Sequence, residues 1–274
     1  MERSFIFELE EDVIKRKIDY FYGSDMIISK YKAIADKVFK EVDDKEIEIL
    51  SAFGFGSKIL MYGEPGVGKT SIAYQIASYV LNEFGVSAFT FSVPSIIRSN
   101  LGDTTSNMKE AIENVREIAR ETGILLILDE IDRLSVVRNS ENELAEMKRA
   151  LLELNDFLDN ISLKDRIFII GITNHSDILD NGLKRRFDFL DEIVPEEKGL
   201  LTIIENLNRL IGIETKSSTD CQNIFKEAKL FYEGEDINGD MIKKYYKKLL
   251  IDSNFDLLGL KNSISKIMLG ENKT

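Results

Sequence analysis

Gly63-Glu64-Pro65-Gly66-Val67-Gly68-Lys69-Thr70 decides how this 274-residue chain is read. The stretch fits the pattern G-x-x-x-x-G-K-[ST], which cradles phosphate when it joins a strand to a helix. Both flanks meet that condition. Before it, Lys58-Ile59-Leu60-Met61-Tyr62 is short, apolar and β-prone. After it, Thr70 to Phe84 carries Ile72, Ala73, Ile76, Ala77, Val80 and Leu81 at helical spacing, and Gly85 stops the run. Gly66 and Gly68 can take backbone angles closed to other residues, so successive N–H groups can converge on one anion beside a helix start. In such a loop Lys69 is expected to reach the β- and γ-phosphates of a nucleotide, and the Thr70 hydroxyl to take a place on Mg²⁺. The competing reading is a glycine-rich turn between strand and helix that binds nothing; the strand-loop-helix context the motif needs favours the phosphate site.

Charged residues make up 31% of the chain and hydrophobic ones 43%, enough core material for one large globular unit and a small one. A net charge of -12 makes nucleic acid and anionic membranes poor default partners. Cys221 is the only cysteine, which excludes an internal disulfide and a cysteine-based metal site. Residues 1–11 hold no long apolar core and no stretch approaches about 18 apolar residues, so neither a signal peptide nor a membrane span is expected. The expected setting is cytoplasmic.

Residues 1 to about 18 read as a short charged tail. An aromatic turn with Tyr20, Phe21 and Tyr22 follows, then helices from about Ile27 and Asp43. Ala88 to Val93 is a strand candidate, and Ser106 to Glu121 an amphipathic helix. Ile124-Leu125-Leu126-Ile127-Leu128 is apolar without alternation, as in a strand covered on both faces. Asp129 and Glu130 stand at its carboxyl end, the edge where open α/β sheets bind ligands. A helix over Asn142 to Asn155 precedes the strand Ile167 to Ile172, which ends in Thr173-Asn174-His175. A charged turn with Lys184, Arg185 and Arg186 leads to a short closing strand at Ile193-Val194-Pro195. Alternating strands and helices predict a three-layer α/β/α phosphate-loop domain with a parallel sheet over residues 1–195. Only helical patterns follow, the last a weak one over Ser263 to Leu269, which predicts a small all-helical domain over 196–274.

In this order the motifs resemble those of the AAA+ ATPases, and within them the AAA clade that includes spastin, katanin and the proteasomal ATPases. The resemblance covers about residues 19 to 250. Walker A is Gly63 to Thr70; Walker B is Ile124 to Glu130, continued by Ile131-Asp132-Arg133-Leu134 and matched through Arg138. Thr173-Asn174 matches sensor 1, Leu179 to Phe187 resembles L-D-x-A-x-x-R-R-F, and Asp240 resembles the S-G-A-D of the helical lid. The resemblance implies an Mg²⁺-dependent ATPase. Asp129 would hold the metal through water, Glu130 would polarise the attacking water, and Asn174 would orient that water and the γ-phosphate. Arg185 and Arg186 would act on a neighbouring subunit's nucleotide, in a homo-oligomeric ring of six that remodels or switches a protein partner.

Blander readings stand beside these. Asp129 could cap a strand, Glu130 could be a solvated charge, and Asn174 could be turn chemistry. Lys184 and His175 are assigned to a solvated turn and a loop. Two departures from the family pattern matter. The second finger arginine falls at Phe189, and Ser99-Asn100-Leu101-Gly102-Asp103 lacks the aromatic ring of threading members. The chain also offers no N-terminal recruiting domain, so limited remodelling or switching of a dedicated partner is expected rather than processive unfolding. A DNA-associated loader or transposition-type ATPase is the alternative. It calls for a basic arm, yet the lysines Lys243, Lys244, Lys247 and Lys248 read as one solvated helix face. A nucleotide-binding scaffold without turnover is disfavoured by Glu130 and Arg186.

Overall fold

Strand periodicity sets the layers. The computed structural model describes residues 5–18, 25–40, 42–91, 104–134, 141–175, 177, 179, 181–215 and 217–270. The aromatic turn, the 99–103 stretch, Arg138 and Asp180 lie outside them. Its sheet contains β1 (Ile6–Glu8), β2 (Lys58–Tyr62), β3 (Ala88–Phe91), β4 (Ile124–Leu128), β5 (Ile167–Thr173) and β6 (Phe189–Glu192), in the order β1-β3-β4-β5-β2-β6. All pairings are parallel except that of β1 with β3. Every residue of β4 and β5 is buried. Successive side chains alternate between two apolar clusters, with Ile59, Met61, Leu125 and Ile127 on one side and Leu60, Leu126 and Leu128 on the other.

The first cluster is closed by α1 (Glu11–Ile18), α2 (Asp25–Phe39) and α4 (Lys69–Phe84), and it runs on into α8 (Glu197–Leu210), α9 (Ser218–Phe231), α10 (Gly239–Asp252) and α11 (Leu257–Met268). The second is closed by α5 (Thr104–Thr122) and α6 (Glu141–Asp159). Two short helices, α3 (Asp44–Ala52) and α7 (Asn181–Lys184), fill connections. No helix among the described residues is long and apolar enough to cross a membrane.

Three expectations are corrected. The charged tail is not a tail from Phe5 onward: β1 extends the sheet by pairing Ile6, Phe7 and Glu8 with Phe91, Thr90 and Phe89, and Phe5 and Ile6 are buried. The closing strand lies at Phe189–Glu192, upstream of Ile193-Val194-Pro195. Its Asp191 is held by Lys30 Nζ at 2.8 Å and by the Tyr31 hydroxyl at 2.9 Å, so a polar residue sits where an apolar strand residue was expected. The last helix begins at Leu257, capped by the Asp256 carboxylate, which accepts from the N–H groups of Leu258 and Gly259.

Candidate functional site

Parallel pairing brings the carboxyl ends of β2, β4 and β5 to one edge, with β5 between the other two. The 63–70 loop leaves β2 there, Asp129 leaves β4, and Asn174 leaves β5. They meet in a cavity of about 480 Å³ lined by Gly66, Gly68, Lys69, Thr70, Asp129 and Asn174. Beyond the loop, a second cavity of about 460 Å³ has a mixed lining, with Val67, Ile193, Leu200, Phe225 and Ile237 beside Glu64, Glu192, Lys229 and Asp236. A polar trough beside a cavity with both apolar and polar walls suits a ligand with a phosphate chain at one end and a ring bearing polar edges at the other.

The loop is built for close approach. Gly66 has φ +82°, and a Cβ there would lie 2.9 Å from the Cβ of Asp240, so neither the angle nor the space admits a side chain. Gly68, at φ +98°, caps α4. Lys69 is 4% exposed, and its ammonium donates to the carbonyls of Gly63 and Glu64, both at 2.8 Å. Burial pushes its pKa down to about 8, partly countered by Asp129, Asp132 and Glu64.

Thr70 Oγ1 lies 3.5 Å from Asp129 Oδ2, with the other Asp129 oxygen accepting from the Glu130 N–H at 2.9 Å. Burial raises the Asp129 pKa, opposed by that backbone bond and by Thr70 and Lys69. A hydroxyl and a desolvated carboxylate fit a hard divalent cation that keeps its other ligands on phosphate and water, as Mg²⁺ does. Among the described residues no group of three or more His, Cys, Asp or Glu side chains could hold a metal without such help.

Glu130 adopts φ +54°, a left-handed angle uncommon for a residue with a side chain and concentrated at functional sites. Its carboxylate does not reach the cavity; it pairs with Arg133 at 2.7 Å. Asp132 is 8% exposed and accepts from Thr173 Oγ1 at 2.7 Å, and that hydroxyl accepts from the His175 N–H at 3.0 Å. These bonds fix the backbone on both sides of Asn174. His175 itself is an exposed loop residue.

The two arginines of the 183–188 turn part company. Arg186 Nε and Nη2 both lie 2.9 Å from Asp159 Oδ2, Nη1 donates to the Gly182 carbonyl, and the side chain is 16% exposed. Arg185 is exposed, and neither arginine lines the 480 Å³ cavity. The turn is anchored on both sides. Phe187 packs on Gly171, where a Cβ would meet its ring at 2.9 Å, and Asp188 Oδ2 accepts from the Lys58 N–H at 2.9 Å.

Sequence reading missed three cations on the cavity wall: Arg16 and Lys17 from the last turn of α1, and Lys243 from α10. Lys243 was placed on a solvated face, yet it stands one turn after Asp240, which also lines the cavity, 3.8 Å away. That i, i+3 spacing was the available signal. Nothing local marks Arg16 and Lys17, because packing of α1 on α4 brings them there. The helical segment also touches the loop directly, through Asn238 Nδ2 donating to the Pro65 carbonyl at 3.2 Å.

Residues 59–194 match the family described as "ATPase family associated with various cellular activities (AAA)". The chain is 29% identical over 185 residues to ATPase family gene 2 protein homolog B of Bos taurus, an alignment covering 65% of this chain and 23% of that protein. It is 32% identical over 187 residues to the peroxisomal ATPase PEX6 of Kluyveromyces lactis, covering 66% and 18% respectively. The chain thus spans about a fifth of the length of these curated relatives. A chain in the structure of the E. coli MS115-1 HORMA:CdnC:Trip13 complex superposes with a TM-score of 0.71 at 14% identity, over 97% of this chain and 94% of that one, a likeness of fold.

Proposed function

Because the chain belongs to the AAA+ ATPase superfamily, we propose that it hydrolyses ATP with Mg²⁺ in a head-to-tail ring and couples turnover to remodelling or switching of a protein partner. The observation that carries this is the convergence of Lys69, Thr70, Asp129 and Asn174 on one polar cavity. Loop N–H groups and Lys69 would bind the phosphates, with Lys69 exchanging its two carbonyl partners for phosphate oxygens. Thr70 and Asp129 would hold Mg²⁺, which supplies charge neutralisation of the transferring phosphoryl group. Asn174 would orient the attacking water. Glu130 would accept its proton after leaving Arg133.

A subunit alone lacks one part. No arginine from the 183–188 turn faces its own cavity, and Arg185 is the one left exposed for a neighbour's nucleotide. A contact of that kind is heterologous and closes into a ring, six by family resemblance. We take the whole of 1–195 as the nucleotide-binding domain and 196–274 as the lid. The partner is read as protein: net charge is -12, and the matched fold comes from an assembly of Trip13 with HORMA and CdnC.

Phosphate release and nucleotide binding test the reading together. Lys69→Ala should abolish binding, whereas Glu130→Gln should keep binding and slow turnover by about 10²-fold or more. Wild-type protein that binds no nucleotide would overturn the assignment; normal turnover of Glu130→Gln would remove Glu130 from it.

A further inference from the structure

The packing of α1 places Arg16 and Lys17 in the wall of the phosphate-loop cavity. Ile14 is 1% exposed, with Val13 and Ile18 packed beside it, so the helix is pinned along α4, whose first turn carries Lys69, Thr70 and Ser71. At about 3.6 residues per turn, Arg16 and Lys17 fall on one side of Ile14 and Lys15 on the other. Lys15 is answered there by Glu11. Neither Arg16 nor Lys17 has a carboxylate partner among the described residues, and both line the cavity together with Ser71.

Basic residues in the last turn of a helix also offset its dipole, which alone would explain cations at this position. It does not explain why two of the three face a cavity that already contains Lys69, since like charges repel. The cavity lining holds four cations, Arg16, Lys17, Lys69 and Lys243, against two acids, Asp129 and Asp240. Lys243 is the one that Asp240 answers, at 3.8 Å. In a chain of net charge -12, this local excess of positive charge is what a polyanion would offset. We propose that Arg16 and Lys17 are a second phosphate-binding group, supplied by the N-terminal helix, which contacts the phosphate chain of the nucleotide held by the 63–70 loop; this rests on the reading of the cavity as a nucleotide site. Both heads are exposed on long stems, able to close on phosphate oxygens, while the helix behind them is fixed. The nucleotide is thereby tied to the edge of the sheet. α1 follows β1 after Leu9 and Glu10, and the Leu9 N–H donates to the Ala88 carbonyl at 2.8 Å. Phosphate contacts made only while α1 is docked stabilise β1 on β3 through linkage.

The test titrates the full chain with ATP and Mg²⁺ by calorimetry at several salt concentrations. Arg16→Gln/Lys17→Gln removes both charges and keeps the length of the stems. It should bind ATP about tenfold more weakly, the scale of two exposed charge contacts, and its affinity should fall less steeply with salt. Arg16→Lys/Lys17→Arg should retain most of the wild-type affinity, because the role needs charge; Lys15→Gln should retain it fully. Amide exchange at Ile6–Glu8 should slow at saturating ATP in the wild type, and slow less in the double Gln variant. Wild-type affinity in the double Gln variant, no rescue by the exchanged pair, an equal loss with Lys15→Gln, or equal ATP protection of Ile6–Glu8 in both proteins would each overturn the proposal. All four outcomes leave ATP binding by the wild type, and so the nucleotide site, in place. Absence of ATP binding by the wild type would overturn that site and this group with it.

Discussion

Arg133, three residues further on, holds the Glu130 carboxylate at 2.7 Å, outside the cavity that Lys69, Thr70, Asp129 and Asn174 line. The pair is half exposed, so it is worth no more than about 1 kcal/mol, or roughly fivefold in the population of a released glutamate. Arg133→Ala is therefore expected to raise basal turnover by up to about fivefold with little change in melting temperature. A steady-state phosphate-release assay decides it. Slower turnover would mean that Arg133 supports the working arrangement rather than restraining Glu130.

Arg185 and Arg186, adjacent in sequence, should fail differently. Arg185→Ala should cost about 10³-fold or more in turnover, as for an arginine supplied in trans, and leave folding intact. Arg186→Ala removes the bonds to Asp159 and Gly182, and should lower stability by about 1 kcal/mol because Asp159 is half exposed to water. Mixing Lys69→Ala with Arg185→Ala subunits should restore part of the activity, since one kind of interface then holds intact parts from both. Full activity of an isolated Arg185→Ala monomer would refute a shared site.

Lys69 links nucleotide affinity to pH. Its pKa in the folded protein is about 8, below the usual lysine range, so it loses its charge as pH rises through that value. Phosphate bound to the ammonium raises that pKa. Binding should then take up protons near and above pH 8, and affinity should fall as pH rises further. Calorimetry in buffers of different ionisation enthalpy measures the uptake. A pH-independent affinity from neutral to alkaline conditions would show that Lys69 stays charged.

Gly171 governs the arginine turn from inside the sheet. A methyl group there would meet the Phe187 ring at 2.9 Å and a Leu60 methyl at 3.1 Å. Gly171→Ala should destabilise by about 1–3 kcal/mol through overpacking and displace Arg185, lowering turnover as well. Adding Phe187→Leu should recover part of the stability, readable as a rise in melting temperature over the single variant.

What could be read from sequence was what local pattern encodes. β4 announces itself as five apolar residues ending in two acids, and the 63–70 loop carries its own turn chemistry. β1 was hidden because three residues make too short a pattern, and only pairing with β3 makes them a strand. β6 was displaced by two polar residues, Asp191 and Glu192; it is an edge strand with one neighbour, so alternation replaces the apolar run. Arg185 and Arg186 are equal finger candidates by sequence, since nothing in it places Asp159 beside Arg186. Lys58 likewise sits buried in a strand, which its charge argues against, because the Leu158 carbonyl at 3.1 Å and Asp188 at 3.6 Å receive its ammonium.

The antiparallel edge strand gives the molecule a mechanical order. Tension applied on the N-terminal side of Ile6 would load three residue pairs, Ile6–Phe91 to Glu8–Phe89, before anything else. Once those part, the next anchor is α1 lying along α4, the helix whose first residue is Lys69. A tether attached at that end would therefore pull, in series, on a detachable strand and then on the helix that carries the phosphate-binding lysine.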